Sequence, residues 1–435
     1  MSLDFRAHRQ AVLDRLASDE AILVLGGPHH LRNGDAEYRY RPDSDVYWLT
    51  GWEDPQVAVF LRPGDEPLTM FVQARDPARE TWTGRRKGPE GAREQHGADV
   101  AYEWGELLEQ LPRLLQGVRV LHYGFARDAE HDALVMSSVA KAARAGRHSG
   151  LGAPVTFHHP RVLLHEVRLH KTPDELETLR RAAQVSAEAH LACMKATAPG
   201  VHEYEIEAVL HHRFVAAGST GAGYTPIVAG GANATILHYV TNRDALRSGD
   251  LLLIDAGCEI DYYTADITRT FPVSGRFSEP QRRMYDAVLA AQEASIEACR
   301  VGKTFQDVHD ASVRVLTEAM VALGLLEGEI DELIEDKSFK RYYMHGTSHW
   351  LGLDVHDVGT YVADGGSRPL AAGMVLTVEP GLYVAEDDDT APEELRGIGI
   401  RIEDDVLVTT GAPEVLTAAV PKAVEALEAL LSTGS

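Results

Sequence analysis

Two aspartates on neighbouring strands are the first residues whose types and spacing could do chemistry. The segment DLLLIDAG (250–257) is a continuous apolar run typical of a strand buried on both faces, and ADITRTFPV (265–273) is a second strand-like run. A hairpin turn centred near residues 260–261 places Asp255 directly opposite Asp266, with Cβ atoms ~4.5–5.5 Å apart. Two buried carboxylates this close need a cation, a shared proton or a raised pKa. On the hairpin alone, a metal site, a proton-sharing pair and an Asp255 that only caps its strand all stay open.

Two glutamates extend this set of acids. Glu379 lies in the apolar run MVLTVEPGLYV (374–384), and Glu403 lies in the strand-like run GIGIRIEDDVLV (397–408). A single acid inside a strongly apolar strand is rare without a partner, so each glutamate is a candidate ligand. The acidic stretch AEDDDTAPEE (385–394) between them is typical of a solvated loop, and we assign it no chemistry.

Histidines supply candidate nitrogen donors. The segment YYMHGTSHWLGLDVHDVG contains His345, His349 and His356, together with glycines that allow the backbone to approach closely. A lone histidine is more often a core or surface residue, but three within so short a segment favour a site. His238, in ATILHYVTN, is a weaker candidate because a histidine at a strand end has an ordinary structural explanation.

Four carboxylates and one imidazole from scattered strands predict a metal site of a particular kind. Ligation dominated by oxygen suits Mn, Co, Mg or Fe better than a thiolate-type zinc site. Four carboxylates balance the charge of two divalent cations, so the number of acids favours two metals over one. Paired ions ~3.5–4 Å apart hold a hydroxide between them and clamp both sides of a displacement. The reaction class that this set indicates is metal-assisted hydrolysis.

Composition excludes other classes of function. The chain has 435 residues, with 66 Asp plus Glu against 42 Lys plus Arg and a formal net charge of −24. This field repels phosphate backbones and anionic lipid, so we expect no nucleic-acid partner and no membrane partner. The three cysteines include no CxxC pair, the N-terminus has no apolar signal region, and no apolar run reaches about 18 residues. We therefore expect a cytoplasmic protein in a reducing compartment.

The elements of the N-terminal part follow from its apolar runs and turn residues. Strands are predicted at three places, 21–27, 57–73 with a Pro-Gly-Asp hairpin turn at 63–65, and 118–124. Helices are predicted near 5–18, 105–116 and 128–145. The segment SGLGAPVTFHHP (149–160) is rich in Gly, Pro and polar residues and is interpreted as a linker.

The C-terminal part begins with a strong helix signal. Thr172 as N-cap, Pro173 at the first position and Glu175 at the third form a capping box, and Pro199-Gly200 stops the helix near Ala198. Further helices are predicted at 203–217, 279–300 and 305–324, before and among the strands that carry the acids. The predicted fold class is α/β (α+β), with domains at 1–165 and 166–435.

The chain closely resembles the pita-bread-fold metallopeptidases of family M24, and within them aminopeptidase P (Xaa-Pro aminopeptidase). The segments that carry this resemblance are IDAGCEIDYYTADITRTFPVSG, MHGTSHWLGLDVHDVG, VLTVEPGLY and GIGIRIED, with YRYRPDSDVYWLTGW (38–52) and ETWTGRRKG (80–88) in the N-terminal half. It implies a creatinase/prolidase-like mixed-sheet α/β domain (1–165), used for oligomerisation or active-site closure. It also implies a pita-bread catalytic domain (166–435) with a dinuclear metal site.

The resemblance implies a role for each candidate ligand. Five residues match the family's metal ligands: Asp255, Asp266, His349, Glu379 and Glu403. In the family, the residue at Asp255 binds one ion, the residues at Asp266 and Glu403 bridge both ions, and those at His349 and Glu379 complete the coordination of the other ion. Glu379 also matches the acid that handles the proton of the bridging hydroxide. The cofactors implied are two divalent metal ions, Mn2+ first, with Co2+ or Zn2+ as alternatives.

The resemblance also implies substrate contacts. His356 matches the histidine that contacts the substrate carbonyl, and His238 and His345 match histidines that position substrate and product. Arg401 matches an arginine that supports the carboxylates. Four further residues match substrate-binding positions: Tyr224 and Tyr361 in the proline pocket, Trp82 from a neighbouring subunit, and Arg368 on the far side of the site. Trp82 is almost equally compatible with a local core position, and the loop before Arg368 differs from the usual family length.

Three functions stay open at this point. Aminopeptidase P removes the N-terminal residue from peptides whose second residue is proline, and the N-terminal segments favour it. Prolidase shares the five ligands but cleaves Xaa-Pro dipeptides. A metal-free pita-bread hydrolase or binding protein is a distant third, because such relatives lose ligands that this chain keeps. The expected partners are proline-containing peptides and further copies of the chain, in a dimer or tetramer.

Overall fold

Two separate sets of strands and helices make up the chain. The computed structural model describes residues 3–432, apart from the side chains of residues 148 and 149. Contacts between Cα atoms divide these residues into a unit that ends at Arg168 and a unit that begins at Leu169. Each unit has its own buried apolar cluster. Among the described residues, no helix combines the length and the apolar character needed to cross a bilayer.

The N-terminal unit is a mixed sheet flanked by helices. Its helices are α1 (Phe5–Leu13), α2 (Ser44–Thr50), α3 (Pro77–Thr83), α4 (Gly88–His96), α5 (Leu107–Leu114), α6 (Ala129–Ser149) and α7 (Leu164–Arg168). Its strands are β1 (Glu20–Leu25), β2 (Leu31–Asn33), β3 (Ala36–Glu37), β4 (Ala58–Leu61), β5 (Leu68–Val72), β6 (Val100–Glu103), β7 (Val120–His122) and β8 (Thr156–His158). The main sheet has the order β6-β5-β4-β1-β7-β8, and β4 is antiparallel to both of its neighbours.

The sequence located most of this sheet correctly. The three predicted strand regions are confirmed, and Leu61 pairs with Leu68 across the predicted Pro-Gly-Asp turn. The predicted linker at 149–160 is wrong in part, because Thr156–His158 forms the edge strand β8, parallel to β7. A three-residue edge strand needs little apolar surface, so a polar composition does not reveal it.

A buried ion pair ties α2 to α7 inside the N-terminal unit. Asp45 accepts hydrogen bonds from Arg168 Nη1 at 2.5 Å and from His165 Nε2 at 3.0 Å, and both Asp45 and Arg168 are buried. Burial alone would raise the pKa of Asp45, but the charge of Arg168 and the bond from His165 lower it below its ordinary value. The aspartate is therefore anionic in the folded protein at all but strongly acidic pH.

Replacing Asp45 by asparagine should destabilise the protein by ~3–5 kcal/mol at neutral pH, because the buried guanidinium of Arg168 loses the carboxylate charge that faces it. A carboxyl whose pKa is lowered on folding stabilises the folded state above its unfolded pKa of about 4 and loses that contribution as the pH falls further. Denaturant unfolding of wild type and Asp45→Asn at several pH values measures the difference. A gap that stays constant from neutral pH to well below pH 4 would contradict the assignment.

The C-terminal unit combines long helices with several small sheets. Its helices are α8 (Pro173–Ala196), α9 (Glu203–Ala216), α10 (Glu279–Ala298), α11 (Phe305–Ala322), α12 (Ile330–Glu335) and α13 (Val424–Ser432). Its strands are β9 (Gly221–Ala222), β10 (Ile227–Gly230), β11 (Leu251–Asp255), β12 (Cys258–Ile260), β13 (Tyr263–Thr264), β14 (Thr268–Pro272), β15 (Val362–Ala363), β16 (Gly366–Ser367), β17 (Val375–Val378), β18 (Gly381–Tyr383), β19 (Gly399–Arg401), β20 (Asp404–Leu407) and β21 (Glu414–Val415).

The strands that matter for the site lie in three of these sheets, ordered β10-β11-β14, β17-β20-β21 and β18-β19. Apolar residues of α8, α9, α10 and α11 pack against β11 and β14 in one buried cluster. The predicted capping box at the start of α8 is confirmed, with Thr172 as N-cap and Glu175 returning to its backbone N–H. The four long helices lie where the sequence placed them, within a few residues at their C-terminal ends.

The predicted register of the aspartate hairpin is wrong. The turn is centred on Asp261 and Tyr262, both with positive φ, rather than on residues 260–261. As a result Asp255 pairs with Thr268 instead of Asp266. The shift is two residues, and a shift by two keeps every side chain on its original face. Asp255 and Asp266 therefore still point to the same side of the ribbon, as diagonal rather than direct neighbours.

Candidate metal centre and active site

The four candidate acids lie at the ends of short strands. Asp255 is the last residue of β11, and Asp266 lies two residues before β14. Glu379 directly follows β17, while Glu403 directly precedes β20. Because Val378 pairs with Asp404 in the antiparallel pair β17–β20, the two glutamates emerge at the same end of that pair.

One threonine joins the aspartate sheet to the glutamate sheet. The backbone N–H of Glu403 donates to Thr268 O at 3.0 Å, and Thr268 Oγ1 donates to Glu403 Oε2 at 2.6 Å. Thr268 is itself the strand partner of Asp255. Main-chain pairing therefore sets the positions of the acids relative to one another, and the long side chain of Glu403 is held at its tip as well.

His349 reaches the acids from a segment that runs beside β17. Its backbone N–H donates to Thr377 Oγ1 at 3.1 Å, and its carbonyl accepts from the N–H of Thr377 at 3.0 Å. Its Nε2 lies 3.4 Å from Asp266 Oδ2 and 3.5 Å from Glu379 Oε1. His349, Asp266 and Glu403 each offer a ligand atom, and these atoms lie within 4.8 Å of one another.

A cavity of about 260 Å³ holds all five candidate ligands. Its walls are formed by Tyr224, Thr225, Ile227, His238, Val240, Asp255, Asp266, His349, Val355, His356, Glu379 and Glu403. The acids and His349 form a polar floor, and Ile227, Val240 and Val355 supply apolar wall. A small apolar pocket with a few convergent polar groups is the usual form of a ligand site.

The charges in this cavity are not balanced by protein cations. Burial raises the pKa of Glu379 to about 7, and burial followed by repulsion from Asp266 raises the pKa of Glu403 well above its ordinary value. Burial and then Asp255 also raise the pKa of Asp266. Burial would lower the pKa of His349, but Asp266 and Glu379 raise it to about 9. In the protein alone, bound protons therefore supply the positive charge that the site lacks.

The donor set fits divalent metal ions. Oxygen donors dominate, one imidazole nitrogen completes the set, and each metal would replace protons that burial now forces onto the ligands. A single arginine, Arg401, opposes four carboxylates among the described residues of the cavity floor and its immediate support. That charge deficit is the observation of this structure that favours metal ions.

Arg401 lies beside the candidate ligands and contacts one of them directly. Its buried guanidinium donates to Asp255 Oδ2 at 2.6 Å, to Tyr383 OH at 3.1 Å and to Thr268 Oγ1 at 3.2 Å. Burial would raise the pKa of Asp255, but the charge of Arg401 lowers it. Asp255 is therefore the one acid of the set that is held ionised by the protein itself.

The three other histidines take different positions. His356 lines the cavity, and its ring lies edge-on to that of His349 at 4.4 Å between centroids. His238 also lines the cavity and is exposed. His345 is held from both sides, with Nε2 at 2.8 Å from Tyr383 OH and Nδ1 at 2.8 Å from Gly346 O. Burial and the nearby Arg401 lower the pKa of His345 to about 4, so this ring is neutral.

The predicted substrate residues are only partly brought together. Tyr224 lies in the cavity, but its hydroxyl donates to Asp255 Oδ1 at 2.7 Å and Asp266 Oδ1 at 2.5 Å, so it serves the carboxylates.

Tyr361 does not line the cavity and stacks on Trp350 at 5.7 Å between centroids. Arg368 is outside the cavity wall too, and its Nε donates to Thr360 O at 2.5 Å. Trp82 lies on α3 of the N-terminal unit and is 88 % exposed, which excludes a local core position.

Sequence reasoning missed several residues that build the site. Asp405 is buried and accepts the backbone N–H of Asp266 on both carboxylate oxygens, at 3.1 and 3.3 Å. Tyr383 joins His345 to Arg401, and Thr268 joins the two sheets. Asp405 had a visible signal, an acid in the apolar run that also contains Glu403. The other two are ordinary strand residues whose roles depend on contacts far apart in sequence.

Two family models and several known proteins match this chain. Residues 177–410 match the description of metallopeptidase family M24, and residues 5–122 match that of the aminopeptidase P N-terminal domain. The chain is 43% identical over 431 residues to the Xaa-Pro aminopeptidase of Escherichia coli (strain K12), covering 98% of this chain and 97% of that protein.

Solved structures extend the likeness to three dimensions. Pseudomonas aeruginosa aminopeptidase PepP has a TM-score of 0.96 and 43% identity, covering 99% of this chain and 98% of that one. Zinc-substituted E. coli aminopeptidase P in complex with product has a TM-score of 0.95 and 42% identity, covering 100% of both chains.

Proposed function

Since the chain belongs to metallopeptidase family M24 and carries an aminopeptidase P N-terminal domain, we propose that it removes the N-terminal residue from peptides whose second residue is proline. The observation that carries this proposal is the convergence of Asp255, Asp266, His349, Glu379 and Glu403 in one cavity with an apolar wall. An Xaa-Pro bond lacks an N–H and resists peptidases that need that donor, so a dedicated pocket must grip the ring by shape.

We propose that these five residues hold two divalent metal ions, Mn2+ first, with Co2+ or Zn2+ as alternatives. The close approach of ligand atoms from Asp266, His349 and Glu403 supports a shared site, and Asp255 and Glu379 flank it. When bound, such ions polarise a carbonyl oxygen and lower the pKa of water to about 7, which supplies a nucleophile at neutral pH.

The protein's own groups have separate tasks in the proposed reaction. Glu379 accepts a proton from the attacking water at a carboxylate oxygen and returns it to the leaving proline nitrogen. His356 donates a hydrogen bond to the carbonyl oxygen as negative charge develops there. Arg401 and Tyr224 hold the carboxylates in place. His345, kept neutral by burial, bonds Tyr383 and helps to position the substrate through that tyrosine and Arg401. His238 lies at the exposed part of the wall, where it can meet the peptide as it enters.

Replacing His356 by alanine should lower kcat for Xaa-Pro-Pro peptides by ~10²–10³-fold, because a donor aimed at the developing oxyanion is removed. Metal content should stay at the wild-type level, since His356 is not among the five ligands. His211→Ala, which removes a half-exposed histidine of α9, is the matched control and should keep wild-type kcat. Steady-state kinetics together with metal analysis of the three proteins checks this, and an unchanged kcat in His356→Ala would exclude the role.

The substrate preference has a direct test. The metal-loaded chain should release the N-terminal residue from Xaa-Pro-Pro and longer Xaa-Pro peptides, and leave peptides with alanine in second position intact. Cleavage confined to Xaa-Pro dipeptides would assign prolidase activity instead. If the metal-loaded chain hydrolysed neither Xaa-Pro dipeptides, nor Xaa-Pro-Pro peptides, nor longer Xaa-Pro peptides, an enzymatic function would be contradicted.

We also propose that the chain forms a homo-oligomer, a dimer or tetramer, in which Trp82 approaches the substrate channel of a neighbouring subunit, and that Arg368 limits the far side of the site. The support is Trp82 itself, a large aromatic that is almost fully exposed, since tryptophan is enriched at protein interfaces. Under this proposal the N-terminal domain (1–165) serves assembly or closure, and the pita-bread domain (166–435) carries the metals.

Replacing Trp82 by alanine should shift the assembly towards smaller species, because an exposed aromatic anchor is lost while the core of the N-terminal unit is untouched. Light scattering after size-exclusion chromatography measures the mass at several concentrations. Arg79→Ala, on the same exposed helix, is the control. A wild-type chain that is monomeric at all concentrations would contradict the proposal.

We further propose a cytoplasmic location. Cys193, Cys258 and Cys299 are free and buried, as expected in a reducing compartment. Burial raises the pKa of each thiol to about 11 or 12, so the reactive thiolate is scarce and the cysteines take no part in the chemistry.

A further inference from the structure

A cluster of buried charges lies on the opposite side of β14 from the candidate metal centre. Successive side chains of a strand point to opposite faces. Thr268 faces the site, where it bonds Glu403, and Arg269 faces away from it. Arg269 and Asp404 have side chains with no exposed surface, and their charged atoms lie 2.7 Å apart. Together with Lys422, Gln292 and Thr417 they form what we call the back cluster.

Arg269 is bonded through its whole guanidinium group. Nη1 donates to the carbonyl oxygens of Thr268 at 3.0 Å and Glu403 at 2.6 Å. Nη2 donates to Asp404 Oδ1 at 2.7 Å and to Val420 O at 2.9 Å, while Nε donates to Pro421 O at 3.2 Å. One rigid, planar side chain therefore fixes three segments of main chain, and one of its bonds is to the backbone of a candidate ligand.

Asp404 anchors that guanidinium. Its Oδ1 also accepts from Thr417 Oγ1 at 2.7 Å, and its Oδ2 accepts from Lys422 Nζ and Gln292 Nε2, each at 2.8 Å. Two cationic groups, the guanidinium of Arg269 at 2.7 Å and the ammonium of Lys422 at 2.8 Å, therefore face this buried carboxyl group. Asp404 directly follows Glu403 in the chain, and the same guanidinium bonds the Asp404 carboxylate and the Glu403 carbonyl oxygen.

Stability alone gives little reason for this arrangement. Replacing a buried ion pair by apolar residues of similar size is often neutral or stabilising, because taking the charges out of water is costly. What an apolar cluster would not provide is a defined position for the backbone of Glu403. Arg269 bonds that backbone from the face of β14 opposite the metal centre. Thr268, the preceding residue, bonds the Glu403 carboxylate on the face towards the metal centre.

We propose that Arg269 and Asp404 are positioning residues for Glu403, which set the affinity of the site for divalent metal without contacting metal or substrate. This inference rests on the proposed function. It goes beyond it by assigning a task to charged residues that have no place in the cavity wall.

The variant Asp404→Asn tests the inference. It removes the charge that holds Arg269 and keeps the shape of the side chain. Titration of the metal-stripped full chain with Mn2+ by calorimetry should show binding ~10–100-fold weaker than in wild type, the usual cost of losing a partner that orients a ligand. Excess Mn2+ should then restore most of kcat, which a general loss of packing would not allow.

Asp45→Asn is the matched control. It breaks a buried arginine–aspartate pair of the N-terminal unit and should lose comparable stability, yet bind Mn2+ with wild-type affinity. Lys422→Met removes one bond to Asp404 and one to Gln292 and leaves the Arg269 contact in place, so it remains usable if Asp404→Asn fails to fold. It should weaken Mn2+ binding in the same direction by a smaller factor.

The outcomes separate the two claims. If wild type binds Mn2+ and the back-cluster variants bind it equally well, the inference is wrong and the proposed function stands. Weakened binding in Asp45→Asn to the same degree would also overturn it, because stability would then explain the loss. If wild type itself binds no divalent metal, the proposed function fails and the inference fails with it.

Discussion

Replacing Glu379 by glutamine should lower kcat for Xaa-Pro-Pro hydrolysis by ~10²–10⁴-fold, the range that general acid–base catalysis contributes. The side-chain amide of glutamine has the same shape as the carboxyl group. The backbone N–H of residue 379 still donates to Thr347 O, so the end of β17 should not move. It cannot accept the proton of the attacking water. Steady-state kinetics at saturating peptide and saturating metal measures the loss.

The control separates this effect from a change in charge. Glu386→Gln removes an exposed acid from the loop 385–394 and should keep wild-type kcat. Metal content of Glu379→Gln must be measured in the same samples, because Glu379 is also a candidate ligand. Activity near the wild-type level in a metal-loaded Glu379→Gln protein would contradict the assigned proton transfer.

Replacing Asp266 by asparagine should have the largest effect on metal binding. The side chain of Asp266 contacts His349 and Tyr224, and its backbone N–H donates to Asp405. Its carboxylate also offers one of the three ligand atoms that lie within 4.8 Å of one another. We expect divalent metal affinity to fall by at least ~100-fold, the upper end of the cost for residues that only orient ligands. Hydrolysis should be lost in parallel.

Stability makes this prediction distinctive. In the metal-free protein burial and Asp255 raise the pKa of Asp266, which favours its neutral form. Asparagine, neutral and of the same shape, should therefore leave the melting temperature of the metal-free protein close to that of wild type. Metal at 100 times its Kd stabilises wild type by ~2.7 kcal/mol, and this gain should vanish in the variant. Thermal unfolding with and without Mn2+ measures both. A variant that is less stable without metal, and still stabilised by it, would contradict the site.

The sequence indicated the candidate ligands because each acid stands at the end of an apolar strand. Asp255, Glu379 and Glu403 follow or precede runs whose burial is evident from composition, and the structure places all three in the cavity. Spacing alone does not distinguish His349 from the two other histidines of its segment as the candidate nitrogen ligand. Only the family resemblance singles it out. Only the fold shows that a strand-like segment beside β17 carries it to the acids.

The hairpin register was predicted wrongly for a local reason. Two-residue hairpin turns with positive φ at both positions are usually recognised in a sequence by Asn-Gly or Asp-Gly. Here Asp261-Tyr262 occupies both positions, and tyrosine gives no such signal. The conclusion about Asp255 and Asp266 survived because the error was an even number of residues, which preserves the face.

Contacts between segments that are distant in sequence could not be predicted from local patterns. Tyr224 was placed in the substrate pocket, yet its hydroxyl bonds two carboxylates that the turn brings to it. Tyr361 was placed there too, but it stacks on Trp350 outside the cavity wall. The back cluster joins residues more than a hundred positions apart, and no single stretch of chain predicts it.

Anomalous diffraction from crystals grown with Mn2+ tests the central claim most directly. The account predicts two manganese peaks in the cavity, within ligand distance of Asp255, Asp266, His349, Glu379 and Glu403, and no peak there in Asp266→Asn crystals grown the same way. Manganese bound elsewhere on the chain, with the five side chains empty, would contradict it.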